Sequence, residues 1–284
     1  MNIKQKISIF IFSIILLLAF AGSGISTIGT SGVFAQNIDS TLQTVPRTIL
    51  VELFAQEACT TCPTAEFCLE DLAWEYGTTQ LILVEEHLWG DGYDTAETNA
   101  RYDWYIGDGK RGTPDVFIDG LTKRLKGLSC DCVEGNYECY KDAIDEELTQ
   151  PSLLELSAVK TPYPNPISQG ESEEEKVANI IIEGKVKNIS DTPLKDLAVS
   201  GMVGKEGDEP GLYFYIQDIF PFQNMPPLLP GATFNFEFIP EISLIQEVEA
   251  DKNKGDNEEK EILHLVIFVQ NTETKEVLQA LYIE

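Results

Sequence analysis

The apolar positions divide the chain into two stretches of different period. In the first, residues 48–54 (TILVELF) form a β-branched, apolar run around a single acid, as a largely buried strand requires. Residues 55–58 break that run. From Pro63 to Tyr76, the residues Ala65, Phe67, Leu69, Leu72 and Ala73 recur at helical spacing, and Gly77 ends the helix. A second apolar strand is predicted at 80–85, followed by an aromatic, glycine-rich loop at 87–94 and a helix over 96–105. Asp115–Ile118 predicts a strand closed by Asp119-Gly120, a strong turn pair. Residues 121–125 would return antiparallel to it, and a closing helix is predicted over 140–148. This order implies a mixed central sheet with helices on its faces.

Pro151 marks the change of period. Beyond it the helical spacing disappears, and strands are predicted at 153–160, 177–188, 197–204, 212–219, 232–240, 262–270 and 277–283. Turn-rich or acidic loops separate them, including 170–175 and 251–261. That number of strands in the second half predicts an all-β, immunoglobulin-like sandwich following an α/β domain. The acidic loops read as solvated connections, and none has the D-x-[DN]-x-[DN]-G pattern of a calcium loop.

The start of the chain has the form of an export signal. Lys4 and Lys6 give a basic beginning, and 7–18 is apolar except for Ser8 and Ser13. That core is short for a membrane span, which needs about 20 residues. Small-residue cleavage patterns end at Ala21 and Ala35, and the second removes the whole Gly/Ser/Thr-rich run. The expected organisation is therefore a signal peptide at 1–35, an α/β domain at 36–150 and a β-sandwich at 151–284. Once the leader is removed, no stable membrane span is expected. The protein would be periplasmic, surface-exposed or secreted.

Composition narrows the partners. The formal charge is −27, and residues 1–35 hold no charged group except the two lysines, so the remainder is more acidic still. Such a surface repels phosphate backbones, which argues against nucleic acid as a partner. Six cysteines, at 59, 62, 68, 130, 132 and 139, fit an oxidising compartment, and all lie in the first half.

Cys59-Thr60-Thr61-Cys62 lies between the first predicted strand and the first predicted helix. At a helix start, free backbone N–H groups and the positive end of the dipole favour a thiolate. The expected geometry exposes Cys59 and partly covers Cys62, so that Cys62 can attack a mixed disulfide on Cys59. Thr60 and Thr61 put no cation between the sulfurs. A zinc site would need a second closely spaced pair, and an oxidising compartment favours disulfides over thiolate ligands. No cofactor or metal is expected.

Ile49 through Gly120 resembles the thioredoxin superfamily, in particular extracytoplasmic Omp28-related proteins, in which a thioredoxin-like domain precedes a β-sandwich. The run 49–54 followed by Cys59 and Cys62 is similar to the central strand and active-site turn. Gly112-Thr113-Pro114-Asp115 is similar to the cis-proline segment, and 265–280 to a final hairpin of the narrower group. The resemblance implies a cis Pro114 beside the disulfide and a Thr113 whose backbone pairs with substrate. It also implies Glu52 as a buried acid beneath Cys62, able to take its proton. Two departures stand out. The Glu52–Cys59 segment is one residue longer than in ordinary thioredoxins, and Ala58 replaces the usual aromatic.

Cys68, Cys130, Cys132 and Cys139 read as structural. Cysteines 130 and 132 are too close in sequence to pair easily. The preferred pairs are Cys132–Cys139 and Cys68–Cys130, with exchange of 130 and 132 as the alternative. His87 and Trp89 are expected near the active edge, His87 as a loop residue, whereas His264 reads as part of a strand. Two functions follow. One is thiol–disulfide exchange, with exported thiols or disulfides as substrates and an envelope redox partner. The other is a non-catalytic envelope binding or scaffold protein.

Overall fold

The computed structural model describes residues 45–127, 137–162, 180–206, 214–240 and 263–283. The leader, Cys130, Cys132 and the acidic loops at 170–175 and 251–261 lie outside these residues.

Strand β1 (Ile49–Ala55) is buried along its whole length, as its continuous apolar run predicts. It pairs in parallel with β2 (Leu81–His87) and antiparallel with β3 (Asp115–Ile118), which pairs antiparallel with β4 (Lys123–Lys126). Three helices pack on these strands: α1 (Cys62–Tyr76), α2 (Ala96–Ile106) and α3 (Glu138–Leu148). Because side chains alternate along a strand, the two faces of β1 carry different cores. Ile49, Val51 and Leu53 meet α1 and α3 through Leu69, Leu72, Tyr140 and Ile144. Phe54 meets Tyr102 and Tyr105 of α2. The strand order β2-β1-β3-β4, with α2 on the face opposite α1 and α3, is a thioredoxin-like arrangement.

The second half corrects the expected organisation. The strands are β5 (Leu154–Pro162), β6 (Ile180–Asn188), β7 (Leu197–Lys205), β8 (Tyr215–Ile219) and β9 (Gln223–Asn224), then β10 (Thr233–Phe238), β11 (Leu263–Asn271) and β12 (Val277–Ile283). Among the described residues they do not stand apart as the expected immunoglobulin-like sandwich. Strands β12-β11-β7-β8 extend the thioredoxin-like sheet through a parallel contact of β8 with β2, where Tyr215 faces Glu85. Strands β10-β6-β5 form a sheet of their own, and its Ile182, Val186, Phe236 and Phe238 pack over Val199, Val203, Leu265 and Ile267 of the long sheet. The alternation within each strand was readable locally. Which sheet a strand joins depends on long-range pairing, which period alone does not encode.

Candidate redox site

The site lies where β1 and β2 end and β3 begins. The register Phe54↔Asp115 brings Pro114 alongside Ala55, the last residue of β1, and the Thr113–Pro114 peptide is cis. After Ala55 the chain turns, with Cys59 N–H donating to the Gln56 carbonyl at 2.9 Å, and enters α1. Cys59 and Cys62 are joined by a disulfide across the helix start. Cys62 is buried, 1% exposed, whereas Cys59 is half-buried. The backbone N–H of Cys62 donates to Cys59 Sγ at 3.0 Å. This donor would stabilise a thiolate on Cys59 once the disulfide opens.

A hydroxyl holds the cis-proline segment in place. The Tyr102 OH donates to the Gly112 carbonyl at 3.0 Å or to Asp115 Oδ2 at 2.8 Å, and accepts from Gly112 N–H at 3.1 Å. Arg124 forks onto the Asp115 carboxylate from the other side. Above Tyr102 stands Trp89, 41% exposed and with a positive φ of 64°, its ring 5.7 Å from that of Tyr102. An exposed aromatic thus flanks the segment that carries Thr113 and Pro114.

Glu52 is in a different place from the one the resemblance implies. It faces α2, whereas the neighbouring Val51 and Leu53 share the core of α1 with Cys62. Its carboxylate accepts from Arg101 Nε and, at 2.7 Å, from the Tyr105 OH. One carboxylate oxygen of Glu86 lies 3.7 Å from the same Arg101 nitrogen. Burial and the Glu52 charge push the Glu86 carboxyl well above its usual range, against the pull of Arg101. The extra residue after Glu52 explains the change of face. One residue of shift in a strand moves a side chain to the other side.

On the cysteine side, β2 supplies the acid instead. Glu85, in register with Leu53, is 3% exposed. His87 Nε2 lies 3.3 Å from Glu85 Oε1, and His87 Nδ1 donates to Asp91 Oδ2 at 2.6 Å. The same Asp91 oxygen accepts from Glu57 N–H at 3.0 Å, which ties the loop after β2 to the cysteine turn. Burial opposes a charge on His87, but Glu85 and Asp91 outweigh it and raise its pKa to about 9. On α1, burial and then the Glu85 charge raise Glu66 to about 8, His87 partly offsetting them. His87 is therefore a buried, charged group and not an ordinary loop histidine. The run Leu81–His87 carried the signal: two acids and a histidine continue an otherwise apolar strand.

These shifts fix a pH dependence. Both groups bind a proton more tightly folded than unfolded, so each contributes stability at low pH that is lost as pH rises. For Glu66 the loss runs from about 4.5 to about 8, and for His87 from about 6.5 to about 9. The melting temperature of the oxidised protein is expected to fall steadily between about pH 5 and pH 9. His87→Gln should flatten the upper part of that curve, which calorimetry at fixed ionic strength would measure.

Cys139 is disulfide-bonded, and Cys68 is buried on the inner side of α1. The pairings expected for Cys130 and Cys132 lie outside the described residues. Among the described residues no cluster of His, Cys, Asp and Glu is arranged to hold a metal ion, and no helix is long and apolar enough to cross a membrane.

No protein-family model and no curated protein sequence matches the chain. Solved structures do. HBP35 of Porphyromonas gingivalis is similar over 84% of this chain and 75% of its own, with a TM-score of 0.56 and 16% identity. A domain of the outer membrane lipoprotein Omp28 from the same organism matches 47% of this chain and 88% of its own, at 12% identity and a TM-score of 0.27. Bacteroides uniformis β-glucuronidase 2 matches 44% of this chain and 12% of its own, at 17% identity and a TM-score of 0.30. The likeness to HBP35 extends over both halves of the chain and is a likeness of fold.

Proposed function

We propose that this chain is an exported envelope protein that exchanges disulfides with other exported proteins through Cys59 and Cys62. The observation that carries this reading is the unequal burial of the pair, with Cys59 half-buried and Cys62 covered at the start of α1. A substrate sulfur can reach the first thiol, and the second is held back to resolve the mixed disulfide. The cis peptide before Pro114, at the same sheet end, and the exposed Trp89 are the features an extended substrate segment would meet beside the disulfide. Export rests on the leader pattern and on the cysteine usage.

A redox titration tests the reading. The Cys59–Cys62 couple is expected between about −120 and −270 mV, the range of exchange proteins. A bridge that stays oxidised below about −300 mV, with no mixed disulfide trapped in Cys62→Ala, would sink it. The competing reading is a non-catalytic envelope binding protein. It is favoured by a cleft of about 660 Å³ beside β8 and β10, where Phe238 and the half-exposed Ile239 meet Pro221.

A further inference from the structure

Cys62 must lose a proton before it can attack a mixed disulfide, and Glu52 is on the wrong face of β1 to take it. The position on β1 with the ordinary spacing to the cysteines is Leu53, which is apolar. Its register partner on the next strand is Glu85, buried on the side that faces α1. Glu66 follows Cys62 by one helical turn, a spacing that sets side chains roughly 5–6 Å apart at Cβ. It is half-buried, and the charges of Glu85 and His87 on β2 act on it. Glu85 Oε1 is fully buried and has no aligned hydrogen-bond donor among the described residues.

Resting on the exchange reading above, we infer that Glu66 and Glu85 hold the proton that Cys62 gives up and takes back, while His87 and Asp91 position them. The charged and titratable groups around Glu85 come from every neighbouring element. Glu66 and Glu70 face it from α1, His87 follows on β2, Asp91 stands behind His87, and Tyr215 of β8 is its strand partner. Four acids, Glu66, Glu70, Glu85 and Asp91, share one imidazolium, which favours keeping a proton among the carboxyls, and Glu66, Glu70 and Glu85 are all raised above the usual carboxyl range, by burial first and mutual repulsion second where Glu66 and Glu70 are concerned. A group on the edge of ionisation near neutral pH is suited to passing a proton either way.

The step balances. In the reduced protein the Cys59 thiolate attacks a substrate disulfide, and one substrate sulfur leaves as thiolate. Cys62 then gives its proton to a carboxylate of the pair, directly or through one water. Its thiolate attacks the Cys59 sulfur, the Cys59–substrate bond breaks, and the second substrate sulfur leaves as thiolate. Two electrons have passed from the protein dithiol to the substrate disulfide. In the opposite direction the carboxyl returns the proton to Cys62 as it leaves.

Dithiobis-nitrobenzoate separates these steps, since attack by Cys59 and resolution by Cys62 each release one coloured thiolate. Cys62→Ala, giving the first release alone, identifies the phases. In Glu66→Gln and Glu85→Gln the first phase is expected to stay within about twofold of wild type. The second should slow by roughly 10²-fold near pH 7 and lose its inflection with pH. Glu66→Gln, on the half-exposed side of α1, keeps the test decisive should Glu85→Gln not fold. A second phase that retains its wild-type rate and pH profile in the folded variants overturns the inference alone. A wild-type protein that gives no second release overturns the exchange reading and the inference together.

Discussion

Replacing Arg101 with methionine is expected to lower the stability of the folded protein by about 3–5 kcal/mol, the usual cost of removing one partner of a buried ion pair, here the cation bound to Glu52. Arg101 is 6% exposed and sits among Glu52, Glu86, Tyr105 and Gln270. Its guanidinium also lies over the rings of Tyr105 and Phe268, 4.9 and 4.8 Å from their centroids. The cluster connects α2 and β1 of the thioredoxin-like part to β11 of the second half. Gln270 of β11 donates to both the Tyr105 hydroxyl and the Lys275 carbonyl at 2.8 Å. Replacing Arg101 and both carboxyl groups together, as Arg101→Met with Glu52→Gln and Glu86→Gln, should recover most of the loss. Urea unfolding measures both. A single Arg101→Met change costing under about 1 kcal/mol would mean that the pairing contributes little.

The second large effect is expected at the turn between β3 and β4. Asp119 and Gly120 both have positive φ, 47° and 67°. A Cβ on Gly120 would stand 2.0 Å from the Lys275 carbonyl oxygen, inside the β11–β12 turn. Gly120→Ala should therefore cost about 3 kcal/mol, from backbone strain together with the collision. Gly77→Ala is the control. Its φ is also positive, at 70°, but nothing lies within 4 Å of the added carbon, so about 1 kcal/mol is expected. Equal losses at the two positions would show that the contact with β12's turn yields without cost.

Much of the first half was readable because its signals are local. The buried run of β1, the helix begun at Pro63 and ended at Gly77, and the Asp119-Gly120 turn each involve neighbours in sequence. So does the order of Cys59 and Cys62 at a helix start, where the second residue enters the helix and the first stays outside it. The strands of the second half were also visible, β12 at its observed limits. Strand β9, two residues long, was not, since its pairing with β7 depends on a partner more than twenty residues away in sequence.

For the cysteine pair, the sequence by itself determined its place in the fold, because strand, turn and helix propensities agree from Ile49 to Tyr76. The tertiary structure decided what surrounds it. The face on which Glu52 lies follows from one added residue, and the strand beside β1 that offers Glu85 follows from register. The joining of both halves into one sheet follows from the contact of Tyr215 with Glu85. None of these choices is set by the local sequence pattern alone. Only the burial of charge and the pairing of distant strands decides them.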